Sequence, residues 1–119
     1  GFGPWSLKDE VLHVQPPAPV LERMVTLRIS IDPCPETNGP LQVIPRTHMG
    51  GILAPDQVEA AVKHGPIEHC TTQEGGLVIM RPLTLHASTK AVRPEHRRVL
   101  HVELACEELH SGLKFMREL

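Results

Sequence analysis

Two side chains near the C-terminal end of the chain have the types and spacing to hold a metal and an anion together. They are His86 and, eleven positions later, Arg97. A neutral imidazole is a good ligand for first-row divalent metals. A guanidinium stays charged and presents a planar fork of donors that matches a carboxylate. Ser88 lies two residues beyond His86, so in a strand the two share a face. Residues 76–88 and 97–104 are rich in strand formers, while residues 90–95 hold Pro94 and charges, as a connecting loop does. Paired as an antiparallel hairpin about that loop, the two runs put His86 opposite Arg97, with Cβ atoms about 5 Å apart. Imidazole, hydroxyl and fixed cation then converge on one patch suited to a metal and an anionic small molecule. The competing reading is a surface or core pair of no chemical consequence. A one-residue slip in register sends Arg97 to the other face and brings Arg98 round.

The elements that must position these groups are short strands. Residues 24–31 alternate Met24, Thr26, Arg28 and Ser30 against Val25, Leu27, Ile29 and Ile31, which predicts a strand with one apolar face. Residues 32–39 form a turn whose sharpest signal is Asn38-Gly39, and residues 41–44 return as a strand ended by Pro45. Pro55 suits the first position of a helix and Gly65 its C-terminal end, which predicts a helix over 55–64 with Val58, Ala61 and Val62 as its apolar stripe. Residues 67–72, 77–80, 83–88 and 97–104 read as further strands. Residues 1–22 read as loop because Pro4, Pro16, Pro17 and Pro19 exclude a long helix. Short strands, frequent turns and one helix predict a mainly β sandwich or barrel in a single domain over 1–119.

Composition narrows the function. The net charge of -2 argues against nucleic-acid or membrane-surface partners, which call for a basic patch. With three aromatic residues, Phe2, Trp5 and Phe115, there is no platform for stacking bases. No apolar run approaches a membrane span. Cys34, Cys70 and Cys106 are odd in number and widely spaced, so neither a disulfide framework nor a structural zinc site is expected, and a reducing cytoplasm fits.

Three stretches carry a resemblance: TNGPLQVIPRTH (37–48), GGLVIMRPLTLHAS (75–88) and HRRVLHVEL (96–104). In this order and at these intervals, with GPW (3–5) and VLHVQPP (11–17), the chain resembles the phytanoyl-CoA dioxygenase family. The resemblance covers nearly the whole chain. It implies a double-stranded β-helix, a form of jelly roll, using Fe(II), 2-oxoglutarate and molecular oxygen to hydroxylate a small organic substrate. Carried over, His86 matches the distal iron-ligating histidine and Arg97 the arginine that grips the far carboxylate of 2-oxoglutarate. Ser88 matches a hydroxyl that helps hold that carboxylate, and Trp5 an aromatic lining the cosubstrate pocket.

One part of the pattern is missing. Such sites hold iron with two histidines and a carboxylate, and the family supplies the second histidine and the carboxylate as His-x-Asp. No His-x-Asp occurs here; His13-Val14-Gln15 is the nearest look-alike, and glutamine is a poor substitute for a carboxylate. The chain also opens GFGPWS without a methionine. Both features lead us to expect the C-terminal part of a longer dioxygenase domain, inactive alone, with the apolar face of Leu100, Val102 and Leu104 left uncovered. Val99, His101 and Glu103 would then point inward. Among the remaining histidines, His13 and His48 are the candidates for substrate contact, His64 complements the helix dipole, and His69, His96 and His110 are expected at the surface. The alternative is a non-catalytic β-sandwich binding or scaffold module. A cupin-type isomerase using another metal needs more histidines on adjacent strands than the chain offers.

Overall fold

The computed structural model describes residues 3–8, 10–106 and 114. Two short strands, β1 (Trp5–Lys8) and β2 (Val11–Val14), form an antiparallel hairpin in what the sequence suggested was loop. The β-rich Val-Leu-His-Val run is enough to support it. The prolines then confine the next helix, α1 (Ala18–Leu21), to one turn that starts after Pro17. The chain therefore has a second, very short helix beside the one expected over 55–64.

Strand β3 (Met24–Ser30) is the centre of a three-stranded antiparallel sheet, flanked by β6 (Leu77–Met80) and β8 (Val99–Ala105). A second three-stranded antiparallel sheet centres on β4 (Leu41–Val43), flanked by β5 (Glu68–Cys70) and β7 (His86–Ser88). Between them lie a 3-10 turn at Glu36–Asn38, another at Thr47–Gly50, and α2 (Pro55–His64). The Gln57 side chain accepts the N–H of Ala54 at 2.8 Å and so closes the start of α2. Gly65 ends α2 in extended backbone, and a Cβ there would stand 2.8 Å from the Ile44 methyl, so the position favours glycine for space. The two sheets are joined where Ser30 Oγ meets Thr72 Oγ1 at 2.6 Å and Cys34 bridges Thr72. This is a jelly roll, as expected.

The predicted hairpin of the last two strands does not form. His86 lies across from Val43 and Ser88 across from Leu41, while β8 pairs with β3 and Arg97 precedes it. The reason lies in the connection. It is longer than hairpin loops usually are, and the N–H groups of Val92 and Arg93 are drawn to the Thr37 carbonyl at 2.9 and 3.0 Å. The loop therefore leaves one sheet and enters the other.

Strand β3 also buries the opposite side from its apolar one. Met24, Thr26 and Ser30 are buried, whereas Val25, Leu27 and Ile29 are half-buried and Ile31 is exposed. The first set faces the second sheet; the other lies on the outside. There Leu27 aligns with Ile79 and Val102, and Ile29 with Leu77 and Leu100. Ile79 is 63% and Leu100 51% exposed, so the outer apolar face is open, as expected for β8. The buried centre comprises Leu21, Met24, Cys34, Leu41 and Ile44.

Candidate active site

Strand β7 follows a turn in which Thr84 N–H bonds the Arg81 carbonyl at 3.0 Å. Thr47 Oγ1 then links the two sides of the strand entrance, donating to the Ile44 carbonyl at 2.8 Å and accepting Leu85 N–H at 2.9 Å. The next residue is His86. Its Nδ1 lies 2.6 Å from the carbonyl oxygen of Thr84. A carbonyl can only accept, so Nδ1 is the donor and Nε2 of the neutral ring keeps its lone pair. A second-sphere bond of this kind fixes ring orientation in metal-ligating histidines. His86 and Ser88 lie on the same side of the sheet as buried Leu41, but both are exposed where β7 ends the sheet. Cys70 is on that face too; burial, and then Glu68, push its thiol up, so it stays protonated.

Arg97 reaches this end of β7 by a different route from the predicted one. Its Nη1 donates to the carbonyl of Asn38 at 3.1 Å and to that of Gly39. Gly39 is left-handed, with φ 63°, and a Cβ on it would run into the Thr89 carbonyl oxygen and stand 2.8 Å from Arg97 Nη1. The guanidinium is thus packed beside Thr89, the residue after Ser88. Among the described residues Nε and Nη2 of Arg97 make no hydrogen bond.

Two residues that sequence reasoning did not single out bear on the site. Asn38, 2% exposed, accepts Glu95 N–H on Oδ1 at 3.1 Å and donates from Nδ2 to the His96 carbonyl at 3.4 Å. Its only sequence signal was the Asn-Gly turn dipeptide, which reports local geometry and not a partner 58 residues away. Thr26, 1% exposed, has a buried Oγ1 with no partner among the described residues. A polar position on the buried side of an alternating strand was visible in the sequence, but which side was buried was not. Thr26 lies across from Met80 and Glu103, and Arg28 across from Val78 and His101, so His101 and Glu103 lie on the Thr26 side of the sheet as expected, but both are exposed there and not buried. His101 Nε2 and Glu103 Oε1 are 3.2 Å apart.

The other candidates sit elsewhere. His13 is half-buried on β2 across from Ser6, and His48 is half-buried in the Thr47–Gly50 turn. Neither ring makes a hydrogen bond among the described residues, and neither is brought to His86 by strand pairing. Trp5 opens β1, but its side chain lies outside the described residues, as does His110. His64 is in the last turn of α2, as expected. His69 is on the outer face of the second sheet, where Gln42 donates to its Nε2 at 2.8 Å and its Nδ1 donates to Glu36. Cys34 is a turn residue: it is buried and its thiol points to the Asn38 carbonyl at 3.7 Å. Among the described residues no three His, Cys, Asp or Glu side chains are grouped to hold a metal ion. No described helix is long and apolar enough to cross a membrane.

A family model described as phytanoyl-CoA dioxygenase matches residues 2–99. Two crystal structures of EctD from S. alaskensis, one the apoform and one with bound Fe, are similar in fold, each at TM-score 0.57 and 24% identity. The match covers 69% of this chain and 31% of each of those chains, so the chain spans under a third of their length. No curated protein matches it.

Proposed function

The chain belongs to the phytanoyl-CoA dioxygenase family, and on that premise we propose that it carries the His86 and Arg97 part of an oxygenase site acting on a small organic molecule. The observation that carries this reading is the His86 ring: Nδ1 is committed to the Thr84 carbonyl, so Nε2, on the Leu41 side of the sheet, is free to take a metal. One of the two EctD structures holds Fe, which supports iron as the metal. The residues fit Fe(II) only in part. His86 supplies one of the three protein ligands such a site needs, and the described residues offer no group of three. We place the second histidine and the carboxylate in a longer dioxygenase domain of which this chain is the C-terminal part. The small share of the EctD chains that it covers supports this.

Arg97 is the anchor for 2-oxoglutarate. Its Nε and Nη2 form a fork for one carboxylate, and Ser88, whose neighbour Thr89 lies beside the guanidinium at Gly39, can add a hydroxyl. Bound Fe(II) would let 2-oxoglutarate and oxygen yield succinate and carbon dioxide while one oxygen atom enters a substrate C–H bond to give an alcohol. The chain's own part is to hold the cosubstrate in one orientation, which removes entropy from the barrier. The three free cysteines support a reducing cytoplasm as the setting.

In the complete polypeptide, His86→Ala is expected to abolish 2-oxoglutarate consumption. Arg97→Ala is expected to raise KM for 2-oxoglutarate with a smaller effect on kcat. Normal turnover by His86→Ala refutes the reading. The lack of a described three-ligand group favours a second reading, a binding module without catalysis. That reading predicts no 2-oxoglutarate consumption in the complete wild-type protein with iron supplied.

A further inference from the structure

Resting on that reading, we propose that Asn38 is the positioning residue for Arg97, and that the 37–39 turn exists to aim the guanidinium rather than merely to join β3 to β4. Three consecutive residues of this turn bind the loop that carries Arg97. The Thr37 carbonyl accepts the N–H groups of Val92 and Arg93 at 2.9 and 3.0 Å. The Asn38 side chain takes the next stretch from both sides, accepting Glu95 N–H at 3.1 Å and donating to the His96 carbonyl at 3.4 Å. The Asn38 carbonyl, at 3.1 Å, and the Gly39 carbonyl then hold Arg97 Nη1.

The chemistry of the side chain explains its identity. Bridging an N–H and a C=O on adjacent residues takes one acceptor and one donor on the same short side chain. Asparagine has both; aspartate has only acceptors when ionised, and serine is too short to span both. Burial makes the requirement strict, because an amide left unpaired at 2% exposure costs more than a bond at the surface. Nη1 is taken by backbone carbonyls, so the edge formed by Nε and Nη2 is the one presented to a ligand. An arginine tethered in this way loses less freedom on binding a carboxylate than one on a free loop.

The test uses the complete polypeptide and measures kcat, KM for 2-oxoglutarate, and Fe(II) affinity. The variants are Asn38→Ala, Asn38→Asp, Arg97→Ala and the double variant Asn38→Ala/Arg97→Ala. Asn38→Ala is expected to raise KM about tenfold, the equivalent of one charge-assisted hydrogen bond, with kcat and Fe(II) affinity near wild type. Asn38→Asp, which keeps the acceptor for Glu95 N–H, is expected to fall between. In the Arg97→Ala background, Asn38→Ala should add nothing. Circular dichroism checks folding, and if Asn38→Ala does not fold, Asn38→Asp and its double variant with Arg97→Ala carry the comparison. The proposal is overturned if Arg97→Ala raises KM and either Asn38 variant does not, or if the two effects simply add. Equal losses in kcat, KM and Fe(II) affinity overturn it in favour of a general structural role. If Arg97→Ala itself leaves KM unchanged, the fault lies in the assignment of Arg97 and the proposal falls with it.

Discussion

Gly39 and Gly75 make a controlled pair for testing how tightly the Arg97 loop is packed. Both are left-handed, with φ of 63° and 73°. An alanine at either position carries the same backbone strain, about 1–2 kcal/mol. What differs is the space. Around Gly75 there is nothing within 4 Å of an added Cβ. At Gly39 the added methyl meets the Thr89 backbone oxygen, Arg97 Nη1 at 2.8 Å and the Ala91 nitrogen at 3.2 Å. Two of those neighbours are backbone and cannot swing aside, so overpacking adds about 1–3 kcal/mol. Gly39→Ala is therefore expected to cost about 2–5 kcal/mol and Gly75→Ala about 1–2 kcal/mol. Urea denaturation of the two variants and the parent, with matched m-values, reads the difference directly. In a thermal melt each kcal/mol corresponds to roughly 4 °C. Equal destabilisation of the two variants would refute the close approach of residues 89–97 to the turn, and with it the route by which Arg97 reaches β7.

Two further outcomes follow from single interactions. Arg98 clasps Asp32 through side-chain bonds of 2.7 and 2.9 Å and a backbone bond of 2.8 Å, and so holds its carboxyl well below the ordinary value of 3.8. A depressed folded value means that the pair contributes stability above the unfolded value and loses it as pH falls through 3.8 and below; Asp32→Asn should lower Tm at neutral pH and flatten the acid limb of a plot of Tm against pH, and an unchanged acid limb would refute the assignment. Thr26→Val replaces a buried hydroxyl without a partner among the described residues by a methyl of similar shape, so it is expected to raise stability by about 1 kcal/mol; a loss of stability in a urea titration would show that the hydroxyl is satisfied.

Most strands after residue 22 were legible in the chain, while the β1–β2 hairpin was hidden among prolines and which strands pair was not legible. The alternation in β3 and the apolar runs of β6 and β8 announce their conformation, because side-chain period is a local property. The partner of β7 is not local. His86 sits across from Val43, a residue more than forty positions earlier, and nothing in the run 83–88 distinguishes that partner from the run that follows it. The loop between β7 and β8 settles the matter through backbone bonds to Thr37, and backbone groups leave no mark in the sequence. The buried side of β3 was misleading for a related reason. A strand in a two-sheet fold has an inner face that is selected for what the space between the sheets holds, so Thr26, Arg28 and Ser30 can face inward while Leu27 and Ile29 lie outside. Polar residues on an inner face conflict with the ordinary logic of a core, and such conflicts concentrate where a fold does chemistry. His86, Ser88 and Arg97 stand out by residue type and interval, but the hairpin expected to join them does not form. Arg97 is held by a turn 58 residues before it and not by a hairpin with the strand that precedes it. The site is therefore more exposed to substitutions at Asn38 and Gly39 than to changes in the loop at 90–95 that lies beside it in sequence.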